Sequence, residues 1–241
     1  MKIGKWIYIL GATAIFSTTV MAQNTLPVLK ADIYEQNSKR EKKIYTLEIT
    51  REEKDGLTTS KAIYKDLQGK TVVEEVGVLK GSELVSFNVE QLQTKESGAI
   101  KVQDGKFLFT YKDTDGKEST TDEKAKGKLL VAANFNSFIK DNITKLSAGE
   151  ELDIRFGVWF RQETVGFTFK KMKEGEINGK KAIQFRMKPT SFVIAQIVDP
   201  LYFWYTVDGS ELLELNGRVP PKTAKGDSWK DLDAEVVYQV K

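Results

Sequence analysis

The sequence predicts a mainly β fold, a curved antiparallel sheet arranged as a half-barrel, barrel or sandwich, with one packed α-helix near residues 128–146. Three observations carry this expectation. Asp-Gly and Asn-Gly turns recur along the chain, short runs between them alternate apolar and polar residues, and one longer stretch has helical spacing instead.

The turn dipeptides are Asp55-Gly56, Asp104-Gly105, Asp115-Gly116, Asn178-Gly179, Asp208-Gly209 and Asn216-Gly217. Both residue pairs accept the positive φ angles of tight hairpin turns, so each marks an expected reversal. Between them a period of two places Tyr45, Leu47 and Ile49 on one strand face and Thr46, Glu48 and Thr50 on the other. The same alternation groups Val85, Phe87 and Val89, then Phe107, Phe109 and Tyr111, then Ile154, Phe156, Val158 and Phe160, and last Ala234, Val236, Tyr238 and Val240. Strands with one buried and one wetter face are antiparallel in character, and on the order of ten are expected.

Two stretches break this rhythm. Over Lys128–Leu146, Val131, Phe135, Phe138, Asn142 and Leu146 follow helical spacing, and Ser147-Ala148-Gly149 supplies a glycine stop. Ser191–Val198 is an apolar segment bounded by Pro189 and Asp199-Pro200, and periodicity leaves it unassigned.

The densest aromatic run is Leu201-Tyr202-Phe203-Trp204-Tyr205. Alternation places Leu201, Phe203 and Tyr205 on one side and Tyr202 with Trp204 on the other. A strand buried on both faces accounts for the run; so does a strand with one side lining an apolar ligand site. On the second account the candidate binding residues are Trp159, Phe192, Tyr202 and Trp204.

At the N-terminus, Lys2 and Lys5 precede the apolar run Trp6–Phe16, and polar Ser17-Thr18-Thr19 leads to Val20-Met21-Ala22. This is a secretory leader, with cleavage expected after Ala22 and an apolar stretch shorter than the ~20 residues a membrane span needs. The expected organisation is therefore a signal peptide over 1–22 and one exported β-rich domain over 23–241, periplasmic or in the cell envelope. Without Lys2 and Lys5 the 37 basic residues fall to 35 against 34 acidic ones. A balanced charge with no arginine-rich stripe speaks against nucleic acid as a partner. Alternating strands also suit a membrane β-barrel, but here they are short and charged on both sides, without a lipid-facing band.

The chain has no histidine and no cysteine. It therefore lacks the usual imidazole base, any thiol nucleophile, any disulfide and both favoured zinc ligands. No catalytic residue, metal site or cofactor is assigned, and the expectation is a protein that is not an enzyme. Carboxylates remain as the material for a hydrolase: Glu150, Glu151 and Asp153 before one strand, and Asp231, Asp233 and Glu235 on one face of the last. The simpler reading makes them a solvent face. Asp113, Asp115, Gly116 and Asp122 fall on calcium-loop positions, but Tyr111 stands where the first ligand belongs, so Asp115-Gly116 reads as a hairpin. Asn142-Ile143-Thr144 matches a glycosylation acceptor inside the expected helix.

The order of leader, hairpins, helix and Ala148-Gly149-Glu150 before further strands resembles the curved half-barrel of periplasmic lipoprotein carriers and related exported proteins of unknown function. Tyr64-Lys65-Asp66-Leu67-Gln68-Gly69-Lys70, Met187-Lys188-Pro189 and Asn216-Gly217-Arg218 are similar in flavour to segments of those relatives. The resemblance is architectural and carries no functional residue across. It implies an apolar concave face that accepts acyl chains. Three function classes follow, in order: a binding protein with an apolar groove for a lipid or other hydrophobic ligand, an envelope adaptor acting on another envelope protein through a surface patch or sheet edge, and a carboxylate hydrolase.

Overall fold

A computed structural model describes residues 24–25, 28–196 and 198–239. The expected leader Met1–Ala22, its cleavage site, Ile197 and Val240 lie outside the described residues. The first half of the chain folds into β1 (Asn24–Thr25), β2 (Leu29–Glu35), β3 (Lys43–Lys54), β4 (Leu57–Asp66), β5 (Thr71–Lys80), β6 (Glu83–Gln91), β7 (Glu96–Gln103), β8 (Lys106–Lys112) and β9 (Glu118–Lys124). After β10 (Leu129–Leu130) and the helix α1 (Ala132–Ser147) come β11 (Leu152–Val158), β12 (Glu163–Ile177), β13 (Lys180–Pro189), β14 (Leu201–Thr206), β15 (Leu212–Lys225) and β16 (Ser228–Gln239).

All these strands belong to one sheet. Its order is β10-β11-β12-β13-β14-β15-β16-β2-β3-β4-β5-β6-β7-β8-β9, with β1 added beside β3. Each half of the chain is thus a meander, and the halves are joined where β16 pairs antiparallel with β2, Val236 opposite Ile33. The β10–β11 pair is parallel; every other pairing is antiparallel. Mainly β structure in a curved sheet with one α-helix is what the alternation and turn residues predict.

Five of the six turn dipeptides lie in reversals between consecutive strands. At Asp55-Gly56, Asp104-Gly105 and Asn178-Gly179 both residues have positive φ, as a two-residue hairpin requires. Asn216-Gly217 is different, because it lies inside β15. A side chain at Gly217 would put its Cβ 2.9 Å from Leu201 Cγ, so this glycine serves close packing and not a reversal. Val85 also departs from expectation: the ladder slips between Val78 and Leu79, and Val85 turns outward while Phe87 and Val89 stay buried.

The helix begins at Ala132, later than the 128–146 expectation, because Leu129 and Leu130 add a strand to β11 before it. Buried Asn134 sets this start. Its side chain accepts from the Val131 N–H at 2.8 Å, one of the N–H groups that a helix start leaves open, and donates to the carbonyl of strand residue Leu129 at 2.9 Å. At the other end Gly149, with φ +91°, bonds back to Leu146, as the glycine stop predicts.

The helix packs into the concave side of the sheet and reaches both meanders. Phe135 lies 5.0 Å from Phe203 and 5.6 Å from Phe169, ring centre to ring centre, while Ala133 sits against Gly77 and Ile143 against Gly209. Phe169 and Phe185 stack at 5.3 Å beneath them. The concave face is therefore apolar, as the resemblance implies, but α1 and a cluster of phenylalanines occupy it.

The sheet's two ends meet without a backbone ladder between them. After β11, Trp159–Arg161 forms a 3-10 turn, so Phe160 leaves the strand face expected for it and is exposed. Trp159 drops onto Gly98 of β7, where a Cβ would come within 2.5 Å of the indole. Beside it Ser119 donates to the Gln162 side chain at 2.8 Å, and that side chain donates to the Ser119 carbonyl at 2.9 Å. Thr164 adds two hydrogen bonds to Glu123, at 2.8 and 2.7 Å. Side chains hold the seam.

Candidate functional site

The site is built on the convex face of β13, β14 and β15. Alternation along β14 separates Leu201, Phe203 and Tyr205 from Tyr202 and Trp204, as the sequence predicts, and the structure buries the first set and turns the second outward, half-buried. The pairing places Arg186 and Asn216 opposite Tyr202, and Gln184 and Glu214 opposite Trp204. Directly paired residues share a sheet face, so these side chains surround the two rings. A groove of about 290 Å³ results, lined by Arg40, Gln184, Tyr202, Trp204, Glu214, Leu215, Asn216, Glu235 and Val236.

Trp204 lies down in this setting. Its ring reaches across to β12, where Gly175 leaves room that a Cβ would narrow to 3.0 Å, and Lys173 Nζ sits 5.6 Å from the ring centre. Tyr202 and Trp204 are two residues apart on one strand, about 7 Å, and form a neighbouring pair of half-buried aromatic surfaces.

The rim is charged. Arg40, in the loop between β2 and β3, reaches over to Glu214 at 2.8 Å and Glu235 at 3.3 Å. Partial burial works against its charge, but the two carboxylates outweigh it and the guanidinium pKa rises further. Across the rings, Arg186 has no hydrogen-bond or ion partner among the described residues, and its Nε is shut off from water. The cations Lys173 and Arg186 of β12–β13 lie beside the groove and not in its lining, whereas the lining carboxylates Glu214 and Glu235 at β15–β16 share Arg40.

The four residues singled out from sequence do not converge. Tyr202 and Trp204 line the groove, whereas Trp159 packs on Gly98 and Tyr111 at the seam. Phe192 is 78% exposed in the connection from β13 to β14, in the segment that periodicity left unassigned, where the described residues include the 3-10 turn Ile194–Gln196. Sequence reasoning missed Arg40, Glu214 and Arg186. Arg40 lies 195 positions from Glu235, and only the β16–β2 pairing brings the chain ends together.

The carboxylates considered for hydrolysis are held in ion pairs or on the outside. Asp231 meets Arg218 and Lys222, both at 2.6 Å, and Asp233 meets Arg218 at 2.9 Å. Glu151 pairs with Lys170 at 2.5 Å, and Glu150 is exposed. Asp115-Gly116 is the turn between β8 and β9, where Asp113 accepts from the Asp115 and Lys117 N–H groups. Asn142 donates to the Phe138 carbonyl within the helix.

Two further places combine polar and aromatic side chains. A wider, open groove of about 510 Å³ at one rim is lined by Gln93, Thr94, Lys95, Glu96, Thr114, Lys222 and Trp229. In the interior, buried Glu75 lies with Tyr64 and Tyr238; burial pushes its carboxyl up to about 7, against the opposing pull of the Tyr64 hydrogen bond. Its Oε2 has no partner among the described residues.

No family model matches the sequence, and no curated protein matches it. A solved structure to which the chain is similar is a beta-barrel-like protein of a domain of unknown function, DUF1849, from Brucella abortus. The two are 14% identical, the match covers 89% of this chain and 96% of that one, and the TM-score is 0.41. That neighbour is described as barrel-like and of unknown function.

Proposed function

We propose that this chain is an exported, non-enzymatic binding protein of the cell envelope whose convex groove takes a small hydrophobic-faced ligand on Tyr202 and Trp204. The observation that carries this reading is the pair of aromatic surfaces lying in a groove with polar side chains around them. Ligand sites have this composition, an apolar floor for area and a few polar groups for orientation. Gly175 supports it, because the small residue lets the indole lie across the sheet. The filled concave face directs the ligand to the outer surface, so the acyl-accepting interior implied by the carrier resemblance forms no part of the proposal.

Titration calorimetry of the folded protein against ring-bearing hydrophobic probes, neutral and charged, tests it. Trp204→Ala should weaken the tightest probe at least tenfold while the protein stays folded at the assay temperature. If the folded wild-type protein binds none of the probes, the reading is wrong.

A further inference from the structure

The two ends of the groove differ in what they leave unsatisfied. At the β15–β16 end Glu214 and Glu235 share the single cation Arg40, so each has a partner and that end keeps a net negative charge. At the β12–β13 end Lys173 has only the Trp204 ring, and Arg186 has no carboxylate, carbonyl or hydroxyl partner among the described residues. A guanidinium that has lost water at Nε and gained no counter-charge is an energetic debit in the free protein. An arriving anion would remove it.

Geometry gives that anion a place. Arg186 is the direct cross-strand partner of Tyr202, so the two side chains leave the same face about 5 Å apart at Cβ. A ligand whose ring covers Tyr202 and Trp204 therefore presents its edge to Arg186, with Lys173 beyond Trp204. Planar guanidinium and planar carboxylate pair through two parallel hydrogen bonds, and that geometry favours a carboxylate over a diffuse charge. Glu214 and Glu235 keep the anionic end away from β15 and so fix the ligand's direction.

We propose that the ligand is a ring-bearing carboxylate, its ring on Tyr202 and Trp204 and its carboxylate held by the Arg186 guanidinium with Lys173 as a second cation. This rests on the groove reading above and adds the head group to it.

Titration calorimetry with 2-naphthoate and the neutral 2-naphthamide on the full folded protein separates the two layers. The expected result is that naphthoate binds at least tenfold more tightly than naphthamide. Arg186→Gln should abolish that difference, and Trp204→Ala should weaken both probes. Thermal melting confirms that each variant is folded, and Arg186→Lys serves as a second variant that keeps the charge but loses the paired geometry, with intermediate affinity. Equal binding of naphthoate and naphthamide, both sensitive to Trp204→Ala, overturns the head-group assignment and leaves the aromatic platform standing. Binding of decanoate as tight as naphthoate overturns the ring requirement. No binding of any probe overturns both readings.

Discussion

Arg186 and Glu75 show how single polar side chains in this sheet depart from the rule that buried groups find partners. Arg186 has a water-free Nε with no acceptor among the described residues, so Arg186→Met should leave the free protein as stable as wild type or raise its unfolding free energy by about 1 kcal/mol, read from urea melts. A clear loss would mean that the guanidinium is satisfied within the fold. Glu75 is a different case because burial raises its carboxyl from 4.5 to about 7. The folded state then holds the proton more tightly than the unfolded chain, so the stabilisation is complete below about pH 4.5 and is lost as pH rises through 7. Glu75→Gln should therefore gain about 3 kcal/mol over wild type at pH 8 and nothing at pH 4. Urea unfolding at pH 4, 6 and 8 checks this, and a gap that does not change with pH would sink it. Trp204 and Phe185 make a further contrast. Fully buried Phe185→Ala should cost about 3–5 kcal/mol, whereas half-buried Trp204→Ala should cost about 1–2 kcal/mol and fall mainly on binding.

At the scale of elements, α1 is held as much by glycines facing it as by its own apolar face. Gly77 lets β5 approach so closely that an added Cβ would stand 2.2 Å from Ala133 Cβ, with helix backbone at 3.8 Å. Gly77→Ala should cost about 1–3 kcal/mol through overpacking. Ala133→Gly in the same chain should recover part of that loss even though glycine disfavours a helix, a coupling that a double-mutant cycle measures. Additive costs would show that the two residues do not meet. The helix was legible from its spacing, but its start was not: Lys128–Val131 fits the helical pattern, and only the pairing of Leu129 and Leu130 with β11 claims those residues for a strand. Likewise Phe160 keeps the period of β11 in sequence and loses it in space, because the chain must turn at Trp159 to close the seam.

The strands of the described residues form one long sheet curled over α1 until its ends touch, and among the described residues the contact is made by side chains where a closed barrel would use a ladder. Gln162 makes two hydrogen bonds to Ser119 and accepts a third at its carbonyl from Thr121, at 2.9 Å. Removing the side chain in Gln162→Ala takes away two of these, about 2 kcal/mol in all. Amide exchange in β9 should then speed up tenfold or more, with β2 and β16 unchanged, since those strands are paired on both sides. Uniform acceleration along the chain would instead mean that the seam unfolds only with the whole sheet.

From the sequence alone, period and turn chemistry determined the β class, the five reversals at Asp-Gly and Asn-Gly, the helix with its glycine stop, and the side of the strand that Tyr202 and Trp204 share. Each follows from interactions within a few residues: positive φ at Asp-Gly and Asn-Gly, opposite faces for neighbouring strand residues, and one helical face. What only the tertiary structure decided is which distant strands lie side by side. The β16–β2 pairing carries Arg40 to Glu214 and Glu235, the curl of the sheet fills the concave face with α1, and Trp159 goes to the seam instead of the groove. Local pattern sets the face a residue occupies, but strand order sets its neighbours, and strand order depends on the packing of the whole chain.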